Sequence, residues 1–174
     1  MQPWPPMSAP APVPGARRPG SVLAAAMLLM VSVALCLAEV VVAIMGAIDQ
    51  RHYESQVSDS SDYQLLTVLM IVLVGLNVVF AIGLSAGALL SLRGRGAGRW
   101  VALGFAVPTM FLHCGCGGLA GTGVYGASHG DVNPFPNWLF TVDIVVNVLT
   151  LATVAVAVVL LLLRPAATYF RGSR

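Results

Sequence analysis

The chain has 174 residues, of which 57% are hydrophobic and 9% charged, and its mean hydropathy is +0.85. A soluble domain carries about a quarter of its residues as charge, so this composition excludes a water-facing globule and points to the membrane class. The formal charge of +2 comes from nine arginines against seven acids. The arginines sit beside apolar runs, which fits orientation in a bilayer better than a nucleic-acid surface, so no nucleic-acid partner is expected.

Residues 1–20 open the chain with Pro3, Pro5, Pro6, Pro10, Pro12 and Pro14, followed by Arg17 and Arg18. Proline at this density removes amide donors and blocks helix, which predicts a flexible or polyproline-like tail. The first apolar run, residues 21–48, holds one charge, Glu39, and is expected to be retained as a membrane anchor. The second run, 63–92, carries none. A third, 100–127, contains Pro108 and many glycines after Cys114, and a fourth, 138–163, has Asp143 and Asn147 in its first half. A basic tail, 164–174, follows. The predicted fold class is therefore an all-α integral membrane protein, a four-transmembrane-helix antiparallel bundle.

Three connections separate these runs. Residues 49–62 are acidic apart from Arg51, residues 93–99 read RGRGAGR, and residues 128–137 carry Pro134, Pro136 and Asn133, which favour turns. One alternation places eight arginines on one side, from the first tail, the second connection and the last tail, and leaves only Arg51 opposite. The positive-inside rule then predicts a multi-pass protein of the cell membrane with both termini cytoplasmic. Trp100, Trp138, Tyr63 and Tyr169 fall at predicted ends, where aromatic rings bridge apolar and polar layers.

Without water to expel, helices in lipid associate through close packing and hydrogen bonds. Gly83 and Gly87, and Gly117 and Gly121, are each four apart and are the candidate packing positions; Ala81 and Ser85 widen the small face of the second run. Pro108 removes one helical hydrogen bond and predicts a bend.

Glu39, Asn77, His113, Asp143 and Asn147 are the side chains that hydrocarbon tolerates least, and they are the candidates for intramembrane or partner contact. Under the predicted alternation Glu39 and Asp143 reach similar depth in the outer leaflet. Asp143 begins only about one turn inside its run, near enough to reach headgroups, while Asn147 shares its face four residues on. Glu39 has apolar neighbours on both sides, which predicts a hydrogen-bonded or neutral acid fixing helix contacts, with contact with another subunit or a proton or cation relay as the alternatives.

The three cysteines all lie in apolar runs, so no disulfide framework is implied. Cys36 and Glu39 are three apart, as are His113 and Cys116. Were those two faces to meet, Cys36, His113 and Cys116 would form a conditional soft-metal set; packing of small apolar thiols is the simpler account. His52 and His129 fall in connections, so a haem held by two intramembrane histidines is disfavoured and no cofactor is expected. No phosphate-cradling GxxxxGK[ST] or HExxH motif occurs, and no independent catalytic activity is expected.

The leading functional expectation is a noncatalytic accessory or scaffold component of a larger membrane complex, with lipids and another integral membrane protein as partners. The alternative is a small proton- or cation-coupled transporter or channel using Glu39 and Asp143, which would need a wet path.

Overall fold

The computed structural model describes residues 19–54, 61–115, 137–163 and 166. Within them the chain is all-helical: α1 spans Gly20–Glu54, α2 Ser61–Leu92, α3 Gly96–Gly115 and α4 Asn137–Leu162. Residues 1–18, the basic tail apart from Ala166, Gly117, Gly121, Cys116 and most of the third connection lie outside the described residues.

Two helices outrun their apolar stretches. α1 continues through Asp49–Glu54 and α2 starts at Ser61, so the predicted connection 49–62 shrinks to residues 55–60. The hydrocarbon edge does not end a helix; a breaker does, and residues 49–54 contain neither Gly nor Pro. α2 ends differently. Gly94, at φ 72°, takes the left-handed conformation that a side chain resists. The Arg95 amide donates to the Leu90 carbonyl at 3.1 Å and the Gly94 amide to the Ser91 carbonyl at 3.1 Å, which satisfies two carbonyls at the helix end. The Gly98 amide donates to the Arg95 carbonyl at 2.8 Å as α3 begins, so only residues 93–95 separate the two helices.

The helices form a ring in which α1 packs on α2 and α4, and α3 packs on α2 and α4. Neighbours run antiparallel: the contacts Ser32–Thr153 and Glu39–Thr150 ascend α1 while descending α4. The α2–α3 seam is built from small residues. A Cβ on Gly87 would lie 2.7 Å from the Ala102 Cα, and one on Gly98 would lie 2.5 Å from the Ser91 nitrogen. A Cβ on Gly83 would overlap the Phe105 ring. These glycines let two backbones approach as side-chain-bearing residues cannot.

The interior is layered. Toward the Gly94 turn, Val22, Ala25, Leu29, Leu84, Ala88, Ala102, Ala106, Val154 and Leu161 form a dry apolar core. A smaller apolar cluster of Val42, Met70 and Leu139 lies toward the other end. Between them comes a band of polar side chains.

Outward faces are apolar. The most hydrophobic windows of α1, α2 and α4 are only 28%, 39% and 28% buried, so most of their greasy residues look outward, Ile82 at 64% exposure among them. Water would penalise that surface heavily and hydrocarbon would not. Three stretches, Gly20–Ile48, Met70–Leu92 and Trp138–Leu162, are long and apolar enough to cross a membrane, and the chain is read accordingly as a membrane protein. α3 is not among them. Its described apolar part, Trp100 to Gly115, rises only about 24 Å against a hydrocarbon thickness of about 30 Å, and the rest of the predicted third run lies outside the described residues.

Candidate functional site

Each helix carries at least one polar side chain into the band: Glu39 from α1, Asn77 from α2, His113 from α3, and Asp143, Asn147 and Thr150 from α4. All six are buried. A helical repeat of 3.6 residues sets Asp143, Asn147 and Thr150 on one side of α4, facing the ring's interior. Thr109 lies one turn from His113 on α3 and is buried as well.

The contacts are specific. His113 Nδ1 stands 3.0 Å from Asn147 Oδ1, and since an amide oxygen only accepts, Nδ1 carries the hydrogen. The same nitrogen is 3.5 Å from Glu39 Oε1. The Thr150 hydroxyl lies 2.8 Å from the Val146 carbonyl of its own helix and 3.4 Å from Glu39 Oε1, a long second contact. The Asn77 side chain lines the same cavity as Glu39. The Glu39 carboxylate thus draws contacts from α3 and α4.

Toward the dry core, Ser32 Oγ and Thr153 Oγ1 lie 2.9 Å apart between α1 and α4. Both hydroxyls also contact carbonyls of their own helices, Ser32 at Leu28 (2.9 Å) and Thr153 at Leu149 (2.8 Å). Such local acceptors keep a buried hydroxyl satisfied at membrane depth. Thr109 does the same with the Phe105 carbonyl at 2.7 Å.

Glu39, Asn77, His113, Asp143 and Asn147 line one small cavity with Ala43, Met70, Leu73 and Leu112. It offers about 20 Å³ to the centre of a water-sized occupant, room for roughly one. Three buried polar atoms of the lining residues, Asn77 Oδ1, His113 Nε2 and Asn147 Nδ2, have no hydrogen-bond partner. Asp143 is 3% exposed and faces this cavity, so it does not turn out toward headgroups as its nearness to the helix end suggested. α4 presents its acid to the ring because Asp143 falls on the same face as Asn147.

The α1 face bearing Cys36 and Glu39 meets the α3 face bearing His113, and Cys36 is fully buried. Cys116 lies outside the described residues, and among those described no group of three or more His, Cys, Asp or Glu is placed to hold a metal ion. Cys114, about 100° around α3 from His113, is exposed. Gly83 and Gly87 lie in the α2–α3 seam.

Sequence reasoning passed over Thr150, Ser32, Thr153 and Gly98. Hydroxyls recur through all the apolar runs and glycines through the first three, and only the partner across the seam marks these four. Comparison of the chain with protein-family models, with curated proteins and with solved structures found no match.

Proposed function

We propose that this chain is a four-crossing protein of the cell membrane and a noncatalytic component of a larger membrane complex. In this reading α3 completes its crossing beyond Gly115, and the tails and the arginine-bearing α2–α3 turn face the cytoplasm. The observation that carries it is the division of labour between faces. The polar side chains turn inward and tie the four helices to one another, while the outward surface is apolar and free for lipid or another membrane protein.

One outward feature favours a protein partner. Pro108 has no N–H, so the Gly104 carbonyl four residues earlier loses its helical donor. Both residues are exposed, with open space beside Gly104 and the Phe111 ring 74% exposed on the same face. A small notch next to a carbonyl short of a donor suits a neighbouring helix that supplies one. Ion passage finds less support. The band of polar groups ends against the dry core around Leu29, Leu84 and Leu161, and an ion would have to cross that layer without water.

A photo-crosslinker placed at Phe111, in cells expressing the chain at its native level, tests the reading. The expected result is a discrete adduct with one other membrane protein, absent when the same group is placed at buried Ala106. Adducts with lipid alone or with a second copy of the chain would overturn it.

A further inference from the structure

We propose that the cavity in the polar band is a binding site for one water molecule, which bridges Asn77 of α2, His113 of α3 and Asn147 of α4. Space sets the number. The cavity offers about 20 Å³ to the centre of such an occupant, and one water needs roughly 10–15 Å³ by that measure. Its walls supply the partners. Asn77 Oδ1, His113 Nε2 and Asn147 Nδ2 are buried without hydrogen-bond partners, on residues 7%, 8% and 7% exposed that all line this cavity.

Hydrogen-bond arithmetic sets the chemistry. An amide oxygen accepts and an amide nitrogen donates, so the unmet atoms include both kinds of group. A cation would be repelled by the Asn147 N–H and an anion by the Asn77 oxygen, whereas water brings two hydrogens and two lone pairs. His113 suits it in either charge state. The ring keeps its Nδ1 hydrogen on Asn147 Oδ1 in both, while Nε2 accepts from the water when neutral and donates to it when protonated. The site therefore makes no demand on how Glu39 and Asp143 are compensated. Polar atoms left unmet at membrane depth are costly, and a bridging water is enthalpically close to a direct bond. Here it extends the contacts among Glu39, His113, Asn147 and Thr150 to the Asn77 oxygen on α2. The site goes beyond the proposed membrane-complex role and does not depend on it.

Solution NMR of the full chain in detergent micelles, isotope-labelled at asparagine and histidine nitrogen, tests this. The Asn147 side-chain amide protons are expected to show dipolar cross-relaxation with water, of the sign that marks a molecule held longer than surface hydration. Asn77→Leu removes an acceptor and puts a branched apolar end into the cavity, so the signal should disappear while the backbone spectrum stays native. Asn77→Ser keeps a hydroxyl for the water and should keep the signal. No cross-relaxation at Asn147 in the unsubstituted chain, or a signal that survives Asn77→Leu, would overturn the proposal. So would movement of the Asn147 and His113 resonances when NaCl replaces choline chloride at constant ionic strength, which would assign the cavity to a cation.

Discussion

The α2–α3 seam makes a matched pair of glycine substitutions move stability in opposite directions. At Gly87 a new Cβ would sit 2.7 Å from the Ala102 Cα and 2.8 Å from its nitrogen. Ordinary carbon contacts lie at about 3.5–4.0 Å, so the two backbones must part by roughly 0.8 Å or more to admit one methyl group. Both obstacles are main chain, so no rotamer change relieves them. A radial gap of that size forfeits a quarter to a half of each dispersion contact along the seam, and the expected cost of Gly87→Ala is about 1–3 kcal/mol. At Gly104 the same substitution meets nothing within 4 Å. There Ala restricts the unfolded chain and favours the helix, so Gly104→Ala is expected to be neutral or to stabilise by up to about 1 kcal/mol. Reversible unfolding in mixed detergent micelles, followed by circular dichroism, measures both. Indistinguishable stabilities for the two variants, or a more stable Gly87→Ala, would refute this account of the seam.

Other substitutions probe the polar contacts and the topology. Ser32→Ala and Thr153→Ala, separately and together, should give a coupling energy of about 0.6 kcal/mol in a double-mutant cycle, since the hydroxyls meet across α1 and α4; additive effects would remove that contact. His113→Ala strips Asn147 Oδ1 of its donor and is expected to cost about 1–3 kcal/mol in the same unfolding assay. An effect of the same size from Cys114→Ala, on the exposed side of α3, would show that the contact itself is not the cause. Single cysteines engineered at positions 55, 96 and 131 in a cysteine-free background should react with an impermeant thiol reagent from alternating sides, with 96 alone on the cytoplasmic side. Labelling of 96 and 131 from the same compartment would remove the third crossing.

Much of the architecture was legible because oil imposes few solutions on a chain. Long apolar runs must close their own backbone hydrogen bonds, so helices at α1, α2 and α4 followed from composition and length. The same cost singled out Glu39, Asn77, His113, Asp143 and Asn147, and the structure gathers all five around one cavity. What the sequence left open was pairing. Thr150 looks like any other threonine in an apolar run until Glu39 is seen across the seam, and Asp143 could have turned toward headgroups from where it stands. Helix ends were also hidden. Apolar length measures the hydrocarbon, whereas α1 stops by its own rules six residues past Ile48. The conditional metal set shows the opposite limit: two of its members meet a shared interior, and the third, Cys116, lies beyond the described helix.

The left-handed glycine at position 94 does more than close a hairpin. It holds Arg93, Arg95 and Arg99 within two turns of chain at the joint between α2 and α3, where the Arg99 guanidinium also stands 6.0 Å from the centre of the Trp100 ring. Dragging three guanidinium groups through hydrocarbon would cost about 7–10 kcal/mol at the usual insertion penalties. This joint is therefore the part of the chain least able to change sides during synthesis. It works as a topological pivot: once it is retained on one face of the bilayer, α2 is committed to its direction, and α1 and α4 must orient themselves around it.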